Sequence, residues 1–325
     1  ERVWLSFDSP RRTIVADELS EVPAAMEAAE RAAADGSWVV GMVSYDAGPA
    51  FDHAVRAARV PRCPLVSFGV FDAPRPATGG PDGQPSATGG YHVGPWTPNR
   101  SKPAYLTSVR TVRELIAAGE TYQVNYTIRR RSPVSGDRLG MCGDLIRAQQ
   151  ADHGAYLDMG DRAVCSASPE LFFRKEGRRL TSRPMKGTIG RHQDPEFDRL
   201  AAAHLARSEK DLAENTMIVD MVRNDLGRIA ECGTVRVPAL HTVETYPTLH
   251  TMTSTVVADS DAGLAEVFLA LFPAASITGA PKVRTSEIIE ALEGDGRGIY
   301  TGAIGAIAPD GTMEFNIAIR TVWID

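Results

Sequence analysis

A lysine framed by proline and glycine is the first residue whose setting suggests chemistry. Lys186 lies in the segment SRPMKGT (182–188). Pro184 fixes its own φ and Gly187 tolerates backbone angles that other residues avoid, so the segment predicts a loop that presents the amine. A lysine becomes a nucleophile when desolvation or a nearby cation lowers its pKa from about 10.4. Solvated surface charge is the competing interpretation of a single loop lysine.

A glutamate beside an apolar run is the second candidate. The segment AVCSASPELFFR (163–174) predicts a strand that ends at Ser168-Pro169, with Glu170 directly before three apolar residues. A carboxyl group in such a place tends to be desolvated, which raises its pKa and keeps a proton available for donation. A glutamate at a solvated rim is the alternative.

Carboxylates project from a long predicted helix, SEKDLAENTMIVDMVRNDLGR. Apolar residues follow one stripe at helical spacing and methionines line much of the opposite side, so both sides are expected to be buried. Asp211, Glu214 and Asp225 project from the second side, where they must be paired or bind a cation. Basic residues of the same helix could pair with them. Mg²⁺ is the functional alternative, because it prefers carboxylate oxygens.

Two further groups of polar residues are typical of anion binding. In FPAASITGAPKVRTSEIIEALEG the residues 279–281 predict a helix start, where Ser276, Thr278 and Lys282 would converge near free backbone N–H groups. The spacing is not that of a Walker A loop, so nucleotide binding is not expected. Arg320, on a predicted C-terminal strand, could hold a carboxylate bidentately.

The elements that must position these residues are mixed. An alanine-rich helix near 21–34 precedes two buried strands, WVVGMVSY and PLVSFGVF. The sequence predicts an N-terminal α+β part at 1–75, a mobile connector rich in glycine and proline at 76–98, and a catalytic domain at 99–325. The latter opens with a helix, LTSVRTVRELIAAG, that ends at Gly119, and a strand, YQVNYTIRRR, whose alternation places Gln123 on a polar face. A solvated face is the alternative there. The chain closes with two strands, IYTGAIGAIA and MEFNIAIRTVWI.

Composition limits the partners. The 325 residues are 43% hydrophobic and 23% charged, as in globular proteins, and the net charge of −6 gives no general support for binding nucleic acid or an anionic membrane. The four cysteines show no CxxC spacing, which argues against a zinc cluster and a disulfide framework. No apolar run approaches the roughly 20 residues that a helix needs to span a bilayer. A reduced, cytoplasmic location is expected.

Six segments together resemble the chorismate-utilising enzymes: YQVNYT, SPELF, PMKGT, AENTMIVDMVRNDLGR, ITGAPKVR and IRT. Their order covers about residues 104–325, and SFDSP and GMVSYDAG resemble the N-terminal part of the family. The resemblance implies an α+β chorismate-binding fold like that of anthranilate synthase component I, in which antiparallel sheets pack together with helices outside.

Within the family, one position separates the branches. Anthranilate synthases carry alanine where Lys186 stands, and isochorismate and salicylate synthases carry lysine where Gln123 stands. The pair therefore resembles the branch of the folate pathway that makes 4-amino-4-deoxychorismate from chorismate and ammonia. The resemblance implies that Lys186 attacks C2 of chorismate while Glu170 protonates the departing C4 hydroxyl, and that ammonia then enters at C4 and expels the lysine.

The resemblance also assigns the ligands. It implies that Glu214 holds Mg²⁺ against the C1 carboxylate. The residues implied to bind substrate are Gln123, His250, Ser276, Thr278, Tyr300 and Arg320. A glutaminase cysteine motif is absent from the sequence, so ammonia is expected from solution or from a separate glutamine amidotransferase subunit. Family members continue past the IRT strand into a helix whose glutamates complete the metal site, whereas this sequence is given to Asp325. Two alternatives stay open, an anthranilate synthase and a catalytically weak subunit that mainly binds the amidotransferase.

Overall fold

The structure, a computed structural model, describes residues 4–77 and 89–325. The helices are α1 (Val22–Ala34), α2 (Gly48–Phe51), α3 (Lys102–Ala117), α4 (Arg138–Gln149), α5 (Pro195–Leu205), α6 (Glu209–Gly227), α7 (Leu264–Leu271), α8 (Ala275–Thr278) and α9 (Lys282–Glu293), with 3₁₀ turns at Leu19–Glu21 and Tyr45–Ala47. The strands are β1 (Leu5–Ser6), β2 (Arg12–Ala16), β3 (Trp38–Val43), β4 (Val66–Phe71), β5 (Arg75–Pro76), β6 (Tyr91–Val93), β7 (Thr97–Pro98), β8 (Gln123–Val124), β9 (Arg130–Arg131), β10 (Val134–Gly136), β11 (His153–Asp158), β12 (Ala163–Ser168), β13 (Leu171–Glu176), β14 (Arg179–Arg183), β15 (Met185–Gly190), β16 (Arg236–Thr245), β17 (Leu249–Asp259), β18 (Gly279–Ala280), β19 (Ala303–Ile307), β20 (Met313–Ile317) and β21 (Thr321–Ile324).

A large antiparallel sheet runs through most of the chain. Its strand order is β15-β17-β14-β13-β20-β19-β3-β4-β2, and β16 pairs with the other edge of β17. The strand β3 pairs with β19 with Gly41 opposite Gly305, so strands from both sides of the region 76–98 share one sheet. Residues 78–88 of the predicted connector lie outside the described residues, and the domain boundaries stay a prediction.

Helices cover one face of this sheet and a second sheet covers the other. On the helical face, α1, α6 and α7 bury a cluster of phenylalanine rings whose neighbouring centroids lie 5.2–5.7 Å apart, and each fully buried ring contributes roughly 1.5–3 kcal/mol. On the other face, the sheet β11-β12-β21 packs through Val164 and Trp323 against Met42 and Ile304. The predicted α+β architecture with packed antiparallel sheets is confirmed.

Most long periodic segments formed the predicted elements. The alanine-rich helix is α1, the two apolar strands are β3 and β4, and the next helix is α3, which is followed by Gly119 at φ +77°. In the ranges 4–77 and 89–325, none of the helices has the length and apolar character needed to cross a bilayer.

The predicted strand YQVNYTIRRR is mostly irregular. Only its ends form short strands, β8 and β9. Between them the backbone N–H of Asn125 bonds to the carbonyl of Thr278 at 2.9 Å, and that of Thr127 bonds to the carboxylate of Glu293 at 3.0 Å. The prediction of a continuous strand was wrong because these separate partners replace a sheet ladder.

The last predicted strand also divides. The strand β20 ends at Ile317, Arg320 has φ +50°, and β21 then joins β12 in the smaller sheet. The bend at Arg320 lets one segment serve two packed sheets.

Candidate active site

Lys186 lies on a distorted strand, not in a loop. The strands β14 and β15 run one after the other along the same edge of β17, with Pro184 between them. The register shifts between Met185 and Thr188, and Gly187 has φ +93°. The loop prediction was wrong because the proline and glycine distort a paired strand without ending it.

The helix α6 fixes the backbone of this strand. A Cβ on Gly187 would lie 2.9 Å from Cβ of Asp211, so the glycine permits a close approach. Asn215 is 1% exposed and its Nδ2 donates to the Lys186 carbonyl at 3.4 Å, while Ser254 donates to Asn215 Oδ1 at 2.5 Å. Asn215 was not predicted from the sequence. The signal that could have identified it is its position as an amide on the apolar stripe of a helix.

Glu170 lies in a buried turn between β12 and β13. It is 2% exposed. Its Oε1 accepts hydrogen bonds from Ser276 Oγ at 2.7 Å and from the backbone N–H of Met185 at 3.3 Å. Burial raises the pKa of Glu170, against the opposing effects of Ser276, Lys186 and the Met185 N–H. The carboxyl group is therefore biased toward its protonated form, as the sequence predicted.

Burial shifts Lys186 in the complementary direction. It lowers the pKa of the Lys186 amine, while the carboxylates of Glu170 and Glu214 oppose the shift and Lys210 adds to it. Arg183, which precedes Pro184 in the chain, pairs with Glu244. Burial thus shifts the pKa values of the Lys186 amine and the Glu170 carboxyl group toward each other, each in the direction of its neutral form.

Gln123 lies on the short strand β8, which pairs through two residues with β18. It lies opposite Ala280 in the β8–β18 pair. Gly279 has φ +139°, and a Cβ there would lie 2.0 Å from the Gln123 carbonyl oxygen, so only glycine fits. The side-chain Oε1 of Gln123 is buried and has no hydrogen-bond partner among the described residues. It is an acceptor that a bound ligand could satisfy.

The predicted convergence of polar groups at a helix start was wrong. The helix α9 begins at Lys282, after Pro281, and Lys282 Nζ donates to Asp225 Oδ2 at 2.8 Å. Ser276 bonds to Glu170, whereas the fully buried Thr278 hydroxyl donates to the carbonyl of its own helical turn. Of the three, Ser276 is the one that contacts the acid.

The second side of α6 is open, contrary to the sequence prediction. Met217 and Met221 are half-buried and line a cleft of about 820 Å³ together with Tyr122 and Pro281. The methionines are therefore the wall of a cleft, not a second packed face.

The comparisons with known proteins agree with this geometry. A family model described as chorismate binding enzyme matches residues 81–325. The chain belongs to the chorismate binding enzymes. Its strands β13 and β15, which carry the region of Glu170 and Lys186, lie within the matched range.

Two curated relatives of the chain carry the names of two different branches of the family. It is 43% identical over 229 residues to aminodeoxychorismate synthase component 1 of Klebsiella aerogenes, which covers 70% of the chain and 51% of the relative. It is 39% identical over 224 residues to anthranilate synthase component 1 of Thermus thermophilus, which covers 68% of the chain and 48% of the relative. The chain spans about half the length of these relatives.

Solved structures confirm the fold of this chorismate-binding enzyme. Anthranilate synthase component I from Streptococcus pneumoniae matches with a TM-score of 0.85 at 22% identity, covering 99% of this chain and 84% of that chain. MenF, the menaquinone-specific isochorismate synthase from Escherichia coli, matches with a TM-score of 0.71 at 15% identity, covering 100% and 81%.

His250 of this chorismate-binding enzyme lies on β17, next to the strand of Lys186. The ring is 3% exposed, with Nε2 at 3.0 Å from Asp198 Oδ1 and Nδ1 at 2.9 Å from Thr245 Oγ1. Arg191 also binds Asp198 and strongly lowers the pKa of that carboxyl. The Nε2 atom thus contacts α5 through Asp198, the Nδ1 atom contacts β16 through Thr245, and substrate contact by His250 stays a prediction.

Arg320 and Tyr300 are partly enclosed. Arg320 Nη1 donates to Gln149 Oε1 at 2.8 Å, and burial lowers the pKa of its guanidinium. Burial raises the pKa of the Tyr300 hydroxyl, although Arg297 opposes that shift. Their contact with substrate also stays a prediction.

A buried ion-pair network, which was not predicted from the sequence, supports the backbone of the candidate site. Arg297 and Glu293 pair at 2.7 Å with side chains 1% exposed, and Arg129 pairs with the same carboxylate at 2.9 Å. Arg297 also donates to the carbonyls of Ile277 and Asn125 at 2.9 and 2.6 Å. The network therefore fixes the backbone beside Ser276 and Gln123.

Glu214 fits one part of a magnesium site. Its side chain is 33% exposed, 3.7 Å from the ammonium of Lys210, and its charge acts on Lys186. In the part of the chain that the structure describes, no three histidine, cysteine or acidic residues form a group that could hold a metal. Mg²⁺ commonly binds through one or two carboxylates plus ligand oxygens and water. Glu214 is therefore a carboxylate of the kind that Mg²⁺ binds, and its role as a magnesium ligand stays a prediction.

Proposed function

We propose that this chain is the chorismate-converting component of an aminodeoxychorismate synthase, which exchanges the C4 hydroxyl of chorismate for an amine. The supporting observation is that the half-buried Lys186 interacts electrostatically with the buried Glu170, with the pKa of each shifted toward its neutral form. The resemblance within the family adds support, because anthranilate synthases carry alanine at the position of Lys186. The relative from Klebsiella aerogenes bears the name of this activity.

The first step forms a covalent intermediate on the lysine. The electron pair of the neutral Lys186 amine forms a bond to C2 of chorismate, the ring double bonds shift, and the C4–oxygen bond breaks. Glu170 transfers its proton to that oxygen, which departs as water. A neutral amine is required for the attack and a protonated acid for the departure, and both are the forms that burial favours here.

The second step releases the lysine. Ammonia attacks C4, the double bonds shift back, and the C2–nitrogen bond breaks with its electron pair returning to Lys186. The product leaves with the amine at C4. In the proposal, Gln123, Ser276, Tyr300 and Arg320 bind substrate with His250 and Thr278, and a glutamine amidotransferase subunit in the cytoplasm supplies the ammonia. Chorismate turnover with ammonium salt tests the function, and 4-amino-4-deoxychorismate is the expected product. Anthranilate as the main product would favour an anthranilate synthase. Absence of turnover would favour a subunit with a binding role.

The proposed cofactor is Mg²⁺, held in part by Glu214, which would neutralise the substrate carboxylate. Glu214→Gln is expected to lower Mg²⁺-dependent turnover by at least roughly a hundredfold without unfolding the protein, because a half-exposed neutral isostere keeps the packing and removes the anionic ligand. Initial rates across a Mg²⁺ titration measure this. Glu209→Gln, at the first position of the same helix, is the control. Wild-type rates at wild-type Mg²⁺ concentrations would remove Glu214 from the site.

The pH dependence of chorismate consumption follows from the same pair. The active form carries one proton on Glu170 and none on the Lys186 amine, so the rate rises with pH as Lys186 loses its proton and falls when Glu170 loses its own. The rising limb is expected below the ordinary lysine value of 10.5 and the falling limb above the ordinary glutamate value of 4.5. Rates from about pH 5 to 11 at constant free ammonia measure it. A profile that still rises at 10.5 would contradict a lowered Lys186 pKa.

A further inference from the structure

A small cavity with polar walls lies beside Glu170. Its volume is about 10 Å³, which is about the room that one water molecule needs. Glu170, Ser182, Asp225 and Ser276 are the polar residues in its lining, and the other lining residues are apolar. A water molecule there would meet four polar residues in the lining, and buried water needs two or more polar partners.

Asp225 is a buried carboxylate that the two steps above do not use. It is 7% exposed and lies near the C-terminal end of α6. Lys282 Nζ donates to Asp225 Oδ2 at 2.8 Å and to the Leu271 carbonyl at 3.1 Å. Burial raises the pKa of Asp225, and Lys282 opposes this most strongly, followed by Arg228 and Asn224. The ion pair fixes the carboxylate in position.

Asp225 also lines the outer cleft of about 820 Å³, together with Tyr122, Asp220 and Lys282. Among the described residues, it is the only one that lines both this cleft and the small cavity. A titratable group therefore stands between the cleft and the cavity that borders Glu170.

The proton balance of the reaction requires a proton to return to Glu170 in each turnover. In each turnover Glu170 gives its proton to the departing oxygen, Lys186 returns to a neutral amine, and the product leaves with its new nitrogen protonated. Glu170 is then a carboxylate, and one proton must return to it before the next substrate reacts. Ammonium in the medium supplies that proton when it releases ammonia. A substrate or product molecule bound at Lys186 and Glu170 hinders the return of the proton from that side.

We propose that Asp225 is a positioning residue that returns a proton to Glu170 through one water molecule in the small cavity. The Asp225 carboxylate takes a proton from solvent in the cleft and transfers it to the water, the water transfers another proton to the Glu170 carboxylate, and Asp225 is then again the carboxylate that pairs with Lys282. Lys282 keeps Asp225 at the wall of the cavity. Lys186, on β15, is the titratable neighbour whose charge acts on Glu170. The proposal rests on the proposed function, because it concerns the same acid.

Asp225→Asn separates one turnover from many. With enzyme in excess, Glu170 starts protonated, so chorismate consumption is expected within about threefold of wild type. With substrate in excess, kcat is expected to fall by about tenfold or more while kcat/KM is unchanged, because each cycle waits for the proton after the product has left. Asp220→Asn is the matched control, since Asp220 lines only the outer cleft and pairs with Arg223.

A second variant leaves the ion pair intact. Val222 lines the small cavity, and Val222→Ile adds one methylene that would displace the water. It is expected to show the same slow multiple turnover with normal single turnover, and it decides the case if Asp225→Asn does not fold. Equal loss in both regimes, or wild-type kcat in Val222→Ile, would overturn the proposal. Absence of a Lys186 adduct in wild type would instead refute the covalent route, while the ratio of the two rates still tests Asp225.

Discussion

Lys186→Ala is expected to lower formation of 4-amino-4-deoxychorismate by roughly a thousandfold or more. The physical reason is the covalent route, in which one difficult displacement at C4 is divided into two easier ones. The amine is suited to it because burial lowers its pKa, while Asn215 and the bulge at Gly187 fix its backbone. Alanine removes the nucleophile and leaves the other residues of the candidate site in place.

The product of the variant is as informative as its rate. Bound ammonia could still add directly to a ring carbon, so a shift toward anthranilate-type or C2-substituted products is expected to accompany the residual turnover. Chromatographic separation of the products measures this. Lys102→Ala, at the exposed start of α3, is the control for loss of a lysine.

The adduct itself is the direct test. Wild-type enzyme quenched with chorismate and Mg²⁺ but without ammonia is expected to carry a chorismate-derived mass on the peptide that contains Lys186, and Lys186→Ala is expected to carry none. Unchanged rate and product in Lys186→Ala would refute the assignment of the nucleophile.

Local sequence patterns predicted the elements well where one pattern dominated. The alanine-rich periodicity gave α1 and the apolar runs gave β3 and β4, because burial of a periodic face decides such segments. Proline and glycine around Lys186 were misread, since the same residues that form loops also distort strands that remain paired on one edge. Pairing partners distant in sequence decide between the two.

The site was predicted unevenly for a related reason. Glu170 could be predicted as a buried acid because its apolar neighbours are adjacent in sequence. The pairing of Asp225 with Lys282 and the support of Gln123 by Gly279 join segments that the sequence separates by 57 and 156 residues. No local pattern reports such contacts, so the helix was expected to be covered on a side that forms a cleft.

Glu170→Gln is the second variant with a large expected effect, and it should lower turnover by roughly a hundredfold to ten-thousandfold, the usual contribution of a general acid. Glutamine keeps an oxygen for the hydrogen bonds from Ser276 and the Met185 N–H, so the geometry at Oε1 is preserved and only the transferable proton is lost. Loss of the falling limb of the pH profile is expected with the lower rate.

The same substitution is expected to stabilise the protein, and the gain should depend on pH. Because burial raises the pKa of Glu170 above 4.5, the folded state holds a proton that the unfolded state has lost, and stability falls as pH rises from 4.5 through the folded pKa. Glutamine removes that fall, so its gain should be near zero below 4.5 and larger at neutral pH. Urea unfolding at both pH values measures it, with Glu176→Gln at the exposed end of β13 as the control. Lower activity together with a pH-dependent gain in the free energy of unfolding identifies Glu170 as a buried acid that serves catalysis and lowers stability. A gain of equal size at both pH values would contradict a protonated Glu170.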